Sequence, residues 1–578
     1  MTELILNKTQ NLHQIKEKIV FFSKASCQAY HPKENIKILN YHWQDNNKKL
    51  EDFKYLQFIR KPLSIELYKK LNSIHGKKYS YNQWEMMLGF CLDKIIIFLF
   101  DKWEQFKKVE ECDEKYSVNI ITSQDEYLAS NDSIDFNLRL NDDKWNYLVS
   151  SLILFEFKSC FKEINSSAVK KETRIKKKQS IKYILKKNLN MILWFFKRND
   201  KNILMSTGLS IKDESLLNMK FMQLPSLGFT QPNIKEFKYN KSIRAHEVEV
   251  DINNDSFIRF VGLNIFKFLP KIFLEGFEYT LSEIKKNPFP KNPKTIFTSY
   301  LHFDCDIFNI WASNMHALGS KLIVGQHGGQ LQKFNSDYSY ERRYADTLLC
   351  WGNYLPSLKS RNIGEFKGIY KFENKITNNI NGHVLLISTN MPKYNFMLRS
   401  MALGDQIIDY HYDQIKFYQS LENNIQKDFM VRLYSQDFDW NINQIWKKEV
   451  PRISFDNENK LYKSLKKSRI AISTYNGSNF IELLILNYPV IIYWDKAIWP
   501  LDEMVKEDFY KLEETGIFHN NYTNAARHLS HIYDDINGWW LSKDVQNARS
   551  FFLRRHACKN KYYLRDIEKI LNINDGNN

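Results

Sequence analysis

Residues 470–495 read IAISTYNGSNFIELLILNYPVIIYWD, and the changes of pattern inside this stretch set the fold class. Ile470, Ala471 and Ile472 form a short apolar run suited to a buried parallel strand. Ser473, Thr474, Tyr475, Asn476, Gly477 and Ser478 interrupt it with small, polar, turn-forming residues. Phe480, Leu483 and Leu484 then recur at helical spacing with one acid, Glu482. Asn487-Tyr488-Pro489 ends the helix, and Val490–Tyr493 reads as the next strand. Strand, hydroxyl-rich loop, helix, strand is a βαβ unit. Ser473, Thr474, Asn476 and Ser478, with the loop amides at the helix N-terminus, form a candidate anion site, and Glu482, one turn in, is placed to accept from a ribose diol. The alternative is an ordinary crossover whose polar loop binds nothing.

Moving outward, the same alternation fills the second half of the chain. It opens with a strand at Val384–Ser388, followed by a helix at Tyr410–Leu421 and a strand at Phe429–Tyr434. Helices near Asn521–Ile532 and Val545–Arg555 close it. Upstream, Ile369–Asn381 (IYKFENKITNNIN) is polar and poorly periodic, a linker candidate. Before it lie strands at Ile296–Thr298, Lys321–Gly325 and 347–351, with a helix at Phe308–Leu318. The first residues add a strand at Ile36–Leu39 expected to run on past Asn40 through Tyr41–Asp45, and helices at Asp52–Leu71, Trp84–Trp103 and Trp145–Phe157. A further strand is expected at Val118–Thr122. The expected organisation is an α/β chain of two domains, 1–375 and 376–578, with helical insertions in the first. Their strand C-terminal ends face a shared cleft.

One insertion stands apart. Residues 168–201 include VKKETRIKKKQSIKYILKKNLNMILWFFKR, basic and then aromatic, with Ile181, Ile184, Leu185, Leu189, Ile192 and Leu193 at helical spacing. Two readings stand: a helix lying on an anionic membrane surface, or a solvated basic helix packed on its domain by the apolar stripe, the commoner fate of amphipathic helices.

Candidate chemistry sits at strand ends. Gly325-Gln326-His327-Gly328-Gly329 follows the strand KLIV directly, so His327 lies at a sheet edge where glycines permit close approach; a neutral imidazole there suits a general base for a hydroxyl. Ser388 and Thr389 end the first strand of the second half and are candidate phosphate ligands. Arg432, on an otherwise apolar strand, is either paired to a carboxylate such as Asp437 or aimed at a diphosphate. Asp304-Cys305-Asp306 and Asp437-Phe438-Asp439 spell short metal-binding motifs, but so short a spelling arises by chance, and no metal site is assigned. There is no GxGxxG, Walker A, HExxH or nucleophile-elbow motif, which argues against dehydrogenase, P-loop, zincin and α/β-hydrolase chemistry.

Composition narrows the setting. Lys and Arg number 83 against 66 Asp and Glu, a net charge of +17, which suits an anionic partner. The seven cysteines form no CxxC pair, as expected of reduced cytoplasmic thiols. The first residues carry no apolar signal core, and no apolar run reaches membrane-spanning length. The expectation is a cytoplasmic protein, peripheral on the inner membrane face in the membrane-helix reading.

The spaced residues Tyr41-His42-Trp43 with Asp45, Trp84, Gly89, Asp101, Gly325-Gln326-His327-Gly328-Gly329, Trp351-Gly352, Pro392-Lys393-Tyr394, Val431-Arg432-Leu433-Tyr434, Ser473-Thr474-Tyr475-Asn476 with Phe480 and Glu482, Trp494-Asp495 and Trp539-Trp540 carry a resemblance. The chain resembles a bacterial family of O-antigen or surface-carbohydrate transferases along almost its whole length, and more distantly capsule and teichoic-acid polymer transferases. The resemblance implies a GT-B glycosyltransferase: two Rossmann-like domains, a nucleotide sugar held by the C-terminal one, and a lipid-linked or polysaccharide acceptor met by the N-terminal one. It carries over one role, His327 as base; the residue reading adds Ser388, Thr389, Arg432, Ser473, Thr474, Asn476, Ser478 and Glu482 on the donor, and His42, Asp45, Gln326, Gly328 and Gly329 at the acceptor cleft. No cofactor or metal is expected. Alternatives are a polyol-phosphate transferase, a sugar-nucleotide epimerase, or a basic nucleic-acid-binding protein; no nucleic-acid module is recognisable, and nucleic acid is not an expected partner.

Overall fold

The computed structural model describes residues 2–10, 18–27, 37–123, 125–168, 185, 188–189, 192–193, 201–224, 234–252, 254–287, 289–329, 340–353, 359–398 and 401–572. Its strands form three sheets, parallel throughout. The first holds β1 (Thr2–Ile5), β2 (Lys18–Phe21), β3 (Lys37–Ile38), β4 (Tyr116–Thr122) and β5 (Phe161–Ala168) in the order β3-β2-β1-β4-β5. Two long helices, α1 (Asn46–His75) and α2 (Tyr81–Glu110), pack with it. The expected continuation of the β3 strand through Tyr41–Asp45 does not occur. His42–Gln44 make a 3₁₀ turn, and Asp45 caps α1 by accepting from the Asn47 amide at 2.8 Å. A capping box, Ser80 with Gln83, starts α2.

The second sheet holds β6 (Ile203–Leu204), β7 (Thr295–Thr298), β8 (Lys321–Gly325), β9 (Thr347–Cys350) and β10 (Ser360–Asn362) in strict serial order. Helix α3 (Ile211–Lys220) follows β6, and α4 (Asp306–Ala317) connects β7 to β8. The third sheet, β11 (His383–Ile387), β12 (Phe429–Arg432), β13 (Ser454–Phe455), β14 (Ser468–Ser473), β15 (Val490–Tyr493) and β16 (Phe518–His519), runs β13-β12-β11-β14-β15-β16. That is the doubly wound Rossmann order. Helices α5 (Gln406–Gln419) and α6 (Ser478–Leu486) belong to it. The fold is thus α/β of GT-B type, with parallel-sheet lobes meeting at their strand ends. The refinement is that residues 1–375 hold two sheets in place of the single Rossmann-like domain that the sequence pattern suggests.

Serial order has a consequence. Right-handed crossovers between successive neighbours all fall on one face of a sheet. On that side Ile296, Leu322, Val324, Leu348 and Cys350 pack with Phe308 and Trp311 of α4 and with Met86 of α2. Phe297, Ile323 and Leu349 point the other way by strand alternation. Phe366 packs on Phe297 there, and after α7 (Lys543–His556), which packs on helices of the third lobe, the chain returns to the edge of this sheet and ends in α8 (Tyr563–Asn572), which packs with α3. Cys558 N donates to Trp351 O at 2.7 Å, Glu365 N to Cys558 O at 2.9 Å, and Asn202 Nδ2 to Asn572 Oδ1 at 2.9 Å. Tyr563 OH donates to Asp213 of α3 at 2.8 Å. Ile567 and Leu571 of α8 are buried, each contributing about 1.5–3 kcal/mol.

Between residues 168 and 201, only 185, 188, 189, 192 and 193 are described. They are helical, and Leu185, Leu189 and Ile192 are 64%, 48% and 56% exposed, so these three do not pack on the domain. No helix among the described residues is long and apolar enough to cross a membrane.

Gly352 tests the returning tail. A Cβ there would stand 2.0 Å from the Arg555 carbonyl oxygen, a backbone atom that cannot rotate away. Gly352→Ala is expected to destabilise by about 1–3 kcal/mol, read as a lower thermal midpoint in calorimetry. An unchanged midpoint would show that the tail is not tightly seated.

Candidate functional site

The second and third sheets meet where β8 and β14 end. Gln326 shapes the loop after β8: its Nε2 donates to Gly328 O at 2.7 Å and its Oε1 accepts from Trp351 N at 2.8 Å. Its side chain is thereby spent on the loop itself rather than offered to an acceptor. His327 is half-buried, its ring centroid 5.6 Å from that of Tyr300 and 5.0 Å from that of Phe303. Gly329 N donates to Ser478 Oγ, across the seam, at 3.1 Å. A Cβ on Gly328 would lie 2.5 Å from Ser478 Oγ, and one on Gly329 2.3 Å from Ile481 Cδ1. The glycines are therefore there for proximity; neither has a positive φ.

Facing this loop is the N-terminus of α6. Gly477 precedes it in extended conformation and supplies no side-chain cap, and among the described residues no side chain accepts from the first-turn amides, which suit an anion. Tyr475 folds back over the loop, its ring 2.3 Å from where a Gly477 Cβ would stand. One turn into α6, Glu482 is half-buried and has no hydrogen bond or ion pair among the described residues. Burial raises its pKa above the ordinary carboxyl range, with Lys367 opposing.

The remaining candidates sort by what they touch. Ser473 Oγ exchanges hydrogen bonds with the Asn479 side chain at 3.0–3.2 Å. Thr474 Oγ1 donates to Ile387 O at 3.0 Å and lies 2.7 Å from Tyr410 OH, which also accepts from Thr389 N at 3.0 Å. Ser388 Oγ turns to Thr389 O at 3.2 Å. These hydroxyls brace the adjacent ends of β11 and β14; Asn476, in the loop that follows β14, is buried. Arg432 is paired with Asp456, and it also donates to Glu458 O at 3.0 Å and Ser464 Oγ at 3.1 Å. Of the two readings open to it, its contacts are those of the carboxylate pair, with Asp456 rather than Asp437 as the partner. Asp437 caps Asn441 and Ile442, Asp439 pairs with Lys8 and Lys393, Asp304 with Lys94, and Asp306 accepts from Ser133 N. His42 and Asp45 lie elsewhere, where the first sheet meets the third: His42 Nε2 is 3.0 Å from Asp101, and Asp45 is the α1 cap.

Two residues of this region escape sequence reading. Tyr410 looks in the sequence like one more apolar position on a helix, yet its phenol joins two strand ends. Tyr300, 40% exposed beside His327, stands in no motif.

Two outcomes follow. Tyr410→Phe removes the hydroxyl joining β11 to β14 and is expected to cost about 1–2 kcal/mol in urea unfolding; an unchanged unfolding curve would show that the phenol braces nothing. Glu482→Gln removes a carboxylate whose folded pKa is raised. Such a group destabilises once ionised, so stability falls as pH rises from the ordinary glutamate value through the raised one. The variant should therefore melt above the parent at pH 7–8 and converge with it toward pH 4. A lower midpoint at pH 7 would mean the carboxylate is satisfied.

Three solved structures are similar at low level. A Staphylococcus aureus MnaA–UDP co-structure is 10% identical, covering 65% of this chain and 97% of that one, with a TM-score of 0.36. Acinetobacter baumannii MurG is 10% identical over 65% and 99%, TM-score 0.32. WaaG, a glycosyltransferase involved in lipopolysaccharide biosynthesis, is 10% identical over 65% and 98%, TM-score 0.28. These values bear no weight here, and the fold rests on its own sheet topology. No curated protein matches the chain. A family model does, over residues 2–571: the chain belongs to the LIC12162 family of transferases.

Proposed function

We propose that this transferase is a GT-B glycosyltransferase moving a sugar from a nucleotide-sugar donor to a surface-polysaccharide acceptor (O-antigen, lipopolysaccharide or capsule), lipid-linked at the membrane's cytoplasmic face. What supports the reading most is the pairing of an uncapped helix N-terminus with an unpartnered acid one turn along, Glu482, both set against the His-Gly-Gly loop. Helix amides suit the donor's phosphate and the carboxylate suits its ribose diol.

In this reading the acceptor enters from the His327 side. The imidazole takes the proton of the acceptor hydroxyl, and that oxygen attacks the anomeric carbon. The bond from the anomeric carbon to the phosphate oxygen breaks, and its electron pair leaves on the nucleotide, where the α6 amides stabilise the developing charge. Ser478 and the ends of β11 and β14 hold the phosphate, while Ser473, Thr474, Ser388 and Thr389 keep those ends in register. Catalysis proceeds without metal, the amides supplying the neutralisation.

His327→Ala is expected to lower transfer by ~10²-fold or more while nucleotide affinity in calorimetry stays nearly unchanged; full activity in the variant would remove His327 from the chemistry. Glu482→Ala should weaken nucleotide binding, and equal affinity would sink the ribose contact. Activity should survive EDTA; loss restored by a divalent cation would overturn the metal-independent reading. Product analysis separates transfer from epimerisation, since an epimerase turns over without acceptor.

A further inference from the structure

The first sheet reverses its winding between β1 and β4, and open parallel sheets bind ligands outside the strand C-terminal ends at such a switch. Here a segment from the third lobe reaches that place. Asn7, just past β1, donates from Nδ2 to Tyr394 OH at 2.8 Å, and Tyr394 OH donates to Asp143 at 2.7 Å. Against the Tyr394 ring lies Lys102 of α2, 5% exposed. Its ammonium is 4.5 Å from the Tyr394 ring centroid and 5.0 Å from that of Phe98.

Among the described residues Lys102 makes no hydrogen bond or ion pair. The carboxylates that attract it, Asp101 and Asp143, are held by others. Asp101 accepts from Tyr41 OH at 2.6 Å and lies 3.0 Å from His42 Nε2. Asp143 takes Tyr394 and, at 3.0 Å, Lys8. Burial lowers Lys102 to about 8, which leaves it cationic at neutral pH. Next to Tyr394, buried Asn395 has an unsatisfied Nδ2 donor. A buried cation is ordinarily bonded to a counter-ion, because desolvation without one is costly. Here the Lys102 ammonium meets aromatic faces and, among the described residues, no acceptor.

We infer that the crevice at the end of β1 binds a small oxyanion group, phosphate or carboxylate, on Lys102. The site is separate from the α6 terminus, which belongs to the other seam. Assigning the anion to the acceptor molecule rests on the transferase mechanism proposed above; the anion site itself does not.

The test uses the full chain at pH 7 and constant ionic strength, titrated with inorganic phosphate, pyrophosphate or acetate against a chloride baseline, and followed by thermal shift. A saturable stabilisation is expected that is lost in Lys102→Met and retained in Lys102→Arg. Anion binding at α6 contributes equally to parent and variant, so the difference between their curves isolates the Lys102 site. A response to phosphate and pyrophosphate alone identifies a phosphorylated ligand; a response that includes acetate identifies a carboxylate. As a second measurement on the unmutated chain, phosphate should slow amine acylation at Lys102, read by peptide mass spectrometry. Identical titration curves for parent and Lys102→Met, or acylation indifferent to phosphate, would overturn the assignment.

Discussion

The serial order of the second sheet governs much of this structure. Five parallel strands laid down in sequence favour helical crossovers on one face, where α4 packs, and leave the other to more distant chain. Part of that chain is the segment from the end of α7 through Cys558 to α8, which has already passed through the third sheet. On its way α7 also touches α6: Arg549 Nε donates to Leu484 O at 2.6 Å, among the carbonyls that end that helix. One returning segment thus braces the far end of α6 and packs against the lobe that carries His327. The seam between loop and helix is held from both sides without a direct covalent path between them.

That arrangement explains why the loop can be built from glycine. Gly328 and Gly329 approach Ser478 and Ile481 more closely than any side chain would allow. Such an approach is useful only between bodies that do not drift apart, and the tail supplies that constraint. The hydroxyls at the ends of β11 and β14 act similarly in the layer beneath, bonded to one another and to Tyr410. Among the described residues, the charged groups at the two seams without an ion pair include the Glu482 carboxylate and, at the other seam, Lys102.

Local pattern is legible in the sequence and long-range pairing is not. Residues 470–495 read as strand, loop, helix and strand, and the structure has β14, α6 and β15 there, with β15 at the expected Val490–Tyr493. Turn residues and helical spacing are short-range signals that survive into the fold. Arg432 shows the limit: its partner Asp456 follows a neighbouring strand, and strand adjacency is not written in either segment. Likewise Tyr41–Asp45 has the apolar, aromatic look of a strand, but Asp45 is an N-cap, a role visible only once α1 is known to start there. The count of sheets in the first lobe is hidden for the same reason, since individual strands do not announce their neighbours.

The returning tail also orders events during synthesis. The strands of the second sheet are complete by Asn362, but the returning chain that packs against this lobe runs on to Asn572. Until that segment has left the ribosome, Trp351, Gly352 and α3 lack the partners it brings. The nascent chain therefore carries an incompletely packed lobe through the synthesis of an entire further one, the kind of state that invites chaperone binding.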